Sequence, residues 1–262
     1  MARKPVATGR SAARCLAATL ALTLAFGLTG AAQAGEVQVA VAANFAGPLA
    51  KLAEGFTAAS GHTLKVSAGS TGKLATQIRA SAPFEVLIAA DDETPKRLIA
   101  EGLAVKASNF TYAIGKLVLW SAKPGFVDAD GQVMAGKGFE HLAIANPKVA
   151  PYGAAGLEVI KARGLTNAIT PKLVTAESIA QAFQFVSTGN AELGFVALSQ
   201  VAVPGKPVVG SYWLVPSGLY SEIRQDAVLL KTGESSAAAK ALLDYLRSTP
   251  AKAVISSYGY GH

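Results

Sequence analysis

Strand-like runs that end in small neutral residues and pass straight into helix-like runs recur along this chain, and that alternation most restricts its fold. The run 37–42 leads into Ala43-Asn44-Phe45, and 64–67 leads into Ala68-Gly69-Ser70-Thr71-Gly72-Lys73. Residues 142–145 lead through Asn146 to Ala150-Pro151-Tyr152-Gly153. The patterning predicts strands over 37–42, 63–67 and 86–90, and helices over 48–57, 74–80 and 95–101. Gly61 and Gly102 fit helix stops. Pro48 suits a first turn, and Thr94 suits the N-cap before Pro95. A βαβαβα series implies a parallel sheet with helices on both faces.

The pattern then changes. Residues 111–121 read as one long β-like run that crosses from one sheet to another. Beyond a glycine-rich stretch the series restarts, with strands at 142–145, 173–175 and 193–198 and helices at 156–163 and 179–186. Prolines at 204–207 and 216 break the chain, and a strand at 226–230 and helices at 236–247 and 251–257 complete it. The expected architecture is two α/β lobes. Residues 35–114 with 220–262 form the first, and 115–219 the second. Two crossings, near Gly115 and Tyr220, make a hinge and a cleft. Ligands of open α/β sheets sit beyond the carboxyl ends of the strands, where these small-residue loops fall.

The N-terminus reads as an address. Arg3, Lys4, Arg10 and Arg14 precede an uncharged apolar run, and Ala32-Gln33-Ala34 supplies a small-x-small cleavage pattern, so residues 1–34 are expected to be removed before Gly35. The whole chain carries a formal charge of +7. The leader holds four of the 24 basic residues and none of the 17 acidic ones, which leaves 20 against 17. That balance shows no basic run and argues against nucleic acid as a partner. The single cysteine, Cys15, lies in the leader, so the rest contains neither disulfide nor thiolate metal site. The three histidines are far apart in sequence, and His-Glu-x-x-His and Gly-x-Ser-x-Gly motifs are absent. Neither a cation site nor a Ser-His triad has support.

Each loop has two readings. A helix start exposes unpaired N–H groups at the positive end of its dipole, and several starts facing one cleft bind an anion without charged side chains. Asn44 could lend its amide to such a ligand or act as a plain N-cap. Ser70 and Thr71 could supply hydroxyl donors, or form a serine-rich cap. The loop is not a P-loop, because Ser67 and Leu74 stand where that motif needs Gly and Ser or Thr. Lys73 reads as a solvated side chain. Tyr152 offers a hydroxyl or an N–H, or packs as an ordinary aromatic. The backbone N–H of Ile179 opens the next helix. Asp91-Asp92-Glu93 reads as an acidic helix start rather than an acid–base pair.

The stretches AVAANFAGPL, SAGSTGKLATQI, FEVLIAADDETPKRL, FTYAIGKLVLWSAKPG, IANPKVAPYGAAG and ELGFVALSQV occur in order between Val37 and the final Tyr-Gly-Tyr. Together they resemble the periplasmic molybdate-binding proteins of ABC transporters, the ModA family. The resemblance implies a type II periplasmic binding protein fold and a periplasmic monomer without enzymatic activity or cofactor. It implies molybdate or tungstate held in the cleft by neutral donors and delivered to a membrane permease; the alternative is a receptor for sulfate or another tetrahedral oxyanion, since sulfate is also free of protons at neutral pH. Carried over by position, the donors would be Ala43 and Asn44, Thr71 with Ser70 beside it, Tyr152, and the N–H of Ile179. Some members place a tyrosine after the Leu-Gly-hydrophobic-Val stretch. Here that position is Ala197, so this donor is missing.

Overall fold

A computed structural model describes residues 1–4 and 34–262. The expected leader lies outside the described residues except at its two ends. The first sheet begins with β1 (Glu36–Ala42), which runs through a short 3-10 turn (Ala43–Phe45) into α1 (Ala46–Ser60). Gly61 ends α1 at φ +73°, donating its N–H to Thr57 O at 2.9 Å. This is the left-handed stop that glycine adopts without strain. Then come β2 (Thr63–Gly69), α2 (Thr71–Arg79), β3 (Val86–Ile88), α3 (Glu93–Ala100) and β4 (Phe110–Gly115).

The second sheet draws on β5 (Leu117–Ser121), β6 (Leu142–Ala145), α4 (Pro151–Ala162), α5 (Thr166–Ile169), β7 (Leu173–Ala176), α6 (Ile179–Ser187), β8 (Leu193–Ala197), α7 (Leu198–Val201) and β9 (Ser211–Leu214). The chain returns through β10 (Ile223–Leu229), then α8 (Ala237–Arg247) and α9 (Thr249–Ser257).

Strand order is β2-β1-β3-β10-β4 in one sheet and β7-β6-β8-β5-β9 in the other. β1 is parallel to β2 and β3, as expected, but β10 runs antiparallel to β3 and β4. In the second sheet β6 is parallel to β7 and β8, while β5 opposes β8 and β9. Both sheets are therefore mixed rather than parallel. The reason is topological. Parallel neighbours need a crossover on the sheet face. β10 instead re-enters from the other sheet beside the carboxyl end of β4, with Ile223 opposite Gly115, and must run back.

Alternation sorts the core of the first lobe. Val37, Val39 and Val41 face α1, α8 and α9, with Leu49, Phe56, Leu242 and Ile255 in one apolar cluster. Ala40 points the other way, toward Leu74, Ile78 and Leu98 of α2 and α3. The second lobe packs Leu117, Leu119, Ile144, Phe195 and Val196 against Val159, Ile160 and Val186 of α4 and α6. Each such buried side chain contributes about 1.5–3 kcal/mol.

Two local expectations need correction. The run 111–121 is not one strand. It divides at Lys116 into β4 and β5, one in each sheet. A Cβ on Gly115 would lie 2.3 Å from the Tyr152 hydroxyl and 2.5 Å from Gln225 Nε2, so only glycine lets the backbone pass there. Thr94 is not the N-cap of α3. It lies inside the helix, and its N–H and hydroxyl donate to the Asp91 carboxylate at 2.7 and 3.1 Å. Asp91 is the better acceptor, because a carboxylate also complements the helix dipole.

Candidate functional site

Four helix starts meet in one small cavity of about 10 Å³. They are the 3-10 turn at Ala43, α2 at Thr71, α4 at Pro151 and α6 at Ile179. Two come from each sheet. All six residues singled out in the sequence, Ala43, Asn44, Ser70, Thr71, Tyr152 and Ile179, line this cavity, and no charged residue does. The first N–H groups of a helix have no acceptor within it. Proline opens α4 and has no N–H, so the first donor of that helix belongs to Tyr152.

The side chains sort the alternatives left by the sequence. Ser70 stands at the N-cap position of α2 but makes no capping bond. Its hydroxyl is buried and has no hydrogen-bond partner. A buried polar atom of this kind needs an explanation, and a ligand in the cavity supplies one. Thr71 Oγ1 accepts the Ala90 N–H at 3.0 Å, so its own proton is free to be donated. At α6 the cap is Ser178, which accepts from Gln181 N–H at 3.3 Å. Asn44 is not an N-cap: its Nδ2 donates to Gln225 Oε1 at 3.0 Å and to the Tyr260 hydroxyl at 2.9 Å.

Those partners belong to a buried network that sequence reasoning missed. Gln225 Nε2 donates to the Tyr152 hydroxyl at 3.0 Å. The Tyr112 hydroxyl lies 2.8 Å from Gln225 Oε1 and 2.9 Å from Ala89 O. Ser199 and Tyr260 both donate to Asn44 O at 3.0 Å. The sequence carried one signal, the polar run Arg224-Gln225-Asp226 inside a strand whose other residues are apolar. Burial pushes the phenols of Tyr112 and Tyr152 well above the usual tyrosine value and that of Tyr260 up to about 12. All three are neutral donors at physiological pH. Ala197 is fully buried at the end of β8 and brings only a methyl group.

Other candidates lie elsewhere. Lys73 pairs with Glu177 across the two lobes at 2.7 Å, both side chains largely exposed. Asp91 borders a larger adjoining cavity of about 360 Å³ with Asp92, Arg97, Glu158 and Arg224, where carboxylates and cations mix. Burial raises the Asp91 carboxyl above its ordinary value, against the opposing bonds from Thr94. Among the described residues no cluster of His, Cys, Asp and Glu could hold a cation. The lobes also touch through Gly72, whose N–H donates to Val149 O at 2.9 Å.

Comparison with known proteins agrees with this geometry. Residues 37–261 match the family model of the bacterial extracellular solute-binding proteins. The chain is 57% identical over 243 residues to the molybdate-binding protein ModA of Azotobacter vinelandii, covering 92% of this chain and 96% of that one. It is 52% identical to the ModA of Rhodobacter capsulatus, covering 93% and 95%. Among solved structures, a periplasmic molybdate-binding protein of Azotobacter vinelandii superposes with a TM-score of 0.84 at 42% identity, covering 86% of this chain and 99% of that one.

Proposed function

The chain belongs to the bacterial extracellular solute-binding proteins and, among them, to the ModA family, and we propose that it captures molybdate in the periplasm for an ABC transporter. Its role is to bind and release, and no bond of the ligand is made or broken. The observation that carries the ligand assignment is the unpartnered, buried Ser70 hydroxyl in a cavity built from helix starts and free of charged side chains. Molybdate at neutral pH is a fully deprotonated dianion and only accepts hydrogen bonds. N–H and O–H donors alone suit it. Hydrogen phosphate presents a proton of its own and would need an acceptor such as a carboxylate, which the cavity lining does not include.

The donors in this reading are the N–H groups of Ala43, Tyr152 and Ile179, the loop at Asn44, and the hydroxyls of Ser70 and Thr71. Tungstate, with the same charge and shape, is bound as well. Residues 35–114 with 220–262 move as one lobe and 115–219 as the other, hinged where β4 passes into β5 and where β9 passes into β10. The protein acts as a monomer that docks on a membrane permease. Calorimetric titration of the anion-stripped protein with molybdate, tungstate, sulfate and phosphate tests the reading. Tight one-to-one binding of the first two and silence of sulfate and phosphate is the expected result. Silence of molybdate would overturn it.

A further inference from the structure

Two recesses flank the small cavity. One, of about 360 Å³, shares Ala90, Ala150 and Pro151 with it and is also lined by residues 221–224, where the chain re-enters the first sheet. The other, of about 580 Å³, shares Gly69 and Ser70 with the cavity and includes no residue of either crossing. In this second recess Lys73 of α2 reaches across to Glu177, just before α6, at 2.7 Å. Neither charge suits its own place. Lys73 stands in the first turn of α2, at the positive end of the helix dipole, where a cation is unfavourable. Glu177 lies two residues before Ile179, and an unpaired carboxylate there would repel a dianion held by the Ile179 N–H. Facing each other across the lobes, the two charges offset both penalties. The Lys73 ammonium holds the Glu177 carboxyl below its ordinary value, so the acid is ionised at neutral pH.

We propose that Lys73 and Glu177 form a clasp across the mouth of the cleft that holds the loaded protein shut and sets the rate at which the anion leaves. The inference rests on the reading of the cavity as a molybdate site between hinged lobes. When lobes part about a hinge, groups beside the hinge separate least and groups away from it separate most. The recess at 221–224 adjoins a crossing and the recess of the clasp does not, so parting the lobes breaks this pair. Ser70 lines both the cavity and the clasp's recess, so an anion leaving on this side passes the pair. An ion pair between exposed side chains contributes little to a fold that holds it in every state. This pair is made in the closed state alone, so its whole contribution falls on the balance between closed and open. The adjacent bond from Gly72 N–H to Val149 O also joins the lobes but is uncharged, and salt therefore separates the two contributions.

The test loads the wild type, Lys73→Met, Glu177→Met, the Lys73→Met/Glu177→Met double variant and the charge-swapped Lys73→Glu/Glu177→Lys with radiolabelled molybdate. Release is followed by a chase of excess unlabelled molybdate at about 20 mM and about 500 mM sodium chloride. Calorimetry supplies each Kd, and the Tm of each free protein is recorded. At low salt each single variant should release about two- to fivefold faster than the wild type. The double variant should release no faster than either single, and the swap should return to within about twofold of the wild type. At high salt the difference between the wild type and the double variant should vanish. The sign at Glu177 separates a clasp from two charges acting on the anion independently. In the second case removing the carboxylate would slow release and tighten the Kd, and that result would overturn the proposal. So would single effects that add in the double variant, or a swap that releases as fast as the singles. A pair that merely supported the fold would lower the Tm of the free variants and leave release unchanged, which would also overturn it. A wild type that binds molybdate while every variant releases it at the same rate would overturn the clasp alone. A wild type silent toward molybdate would overturn the ligand reading, and this inference with it.

Discussion

Replacing Ser70 with alanine separates two roles with opposite signatures. In the free protein the Ser70 hydroxyl is buried and unpaired. An unsatisfied buried group costs about 1–3 kcal/mol when water cannot reach it, so its deletion should not destabilise the free protein. The Tm should stay or rise, by up to about 2–4 °C if 1 kcal/mol is relieved in a chain of this size. In the complex the hydroxyl donates to a dianion, and a hydrogen bond to a charged group contributes about 1.5–3 kcal/mol. At about 1.4 kcal/mol per tenfold, the Kd should rise roughly 10- to 150-fold. A conventional N-cap predicts the reverse, a loss of about 1 kcal/mol of stability and an unchanged Kd. Thermal melts with and without molybdate, together with calorimetry, read both quantities. A Ser70→Ala protein that melts lower and binds as the wild type does would refute the assignment.

The neighbouring Thr71→Val should behave differently: it strands the buried Ala90 N–H, so stability should fall by about 1–3 kcal/mol in denaturant titration while binding also weakens. Gly72→Val probes closure, since even a Cβ there would lie 2.9 Å from Val149 Cβ and 3.0 Å from its Cα. The Kd should rise about tenfold or more, and the contraction on adding molybdate, followed by X-ray scattering, should be lost without a lower Tm in the free protein. For Asp91 the sign follows from its raised carboxyl: the folded protein holds that proton more readily than the unfolded chain. Its contribution to stability therefore declines as pH rises from about 4 through the folded value, and remains unfavourable above it. Asp91→Asn, which keeps an acceptor for Thr94, should melt at or above the wild type at pH 7, lose that advantage in acid, and bind molybdate unchanged. Because burial holds Tyr152 well above the usual value and Tyr260 at about 12, wild-type affinity should be flat between about pH 6 and 9, and a steep change there would contradict neutral donors.

What could be read from the sequence was local. The loops were recognisable because a strand, a small-residue stretch and a helix start are contiguous features, while the choice of Ala43, Asn44, Ser70, Thr71, Tyr152 and Ile179 within them came from the family resemblance. Their convergence on one cavity is the consequence of placing those loops at the carboxyl ends of two sheets. Strand direction was not local. β10 opposes β3 because it returns from the other lobe, a fact carried by no residue within 223–229. The division of 111–121 at Lys116 is likewise not local, because β4 pairs with β10 and β5 with β8 and β9, all distant along the chain. The network behind the cavity joins Asn44 to Gln225 and to Tyr260, which lie 181 and 216 residues away along the chain. Such pairings leave no periodicity. Thr94 was displaced from the cap for a subtler reason: Asp91, Asp92 and Thr94 are all good cap residues, and only the fold starts the helix at Glu93, with Asp92 at the cap position and Asp91 accepting from Thr94.

The central claim is that the dianion is held by neutral donors at four helix starts and not in the larger charged recess beside Asp91 and Arg97. Anomalous scattering at the molybdenum edge from crystals of the complex would locate the metal directly. The expected result is one molybdenum site enclosed by Ala43, Ser70, Thr71, Tyr152 and Ile179, with the Ser70 hydroxyl now bonded to an oxygen of the ligand. A metal position among Asp91, Arg97 and Arg224, with the Ser70 hydroxyl still unpartnered, would contradict the account.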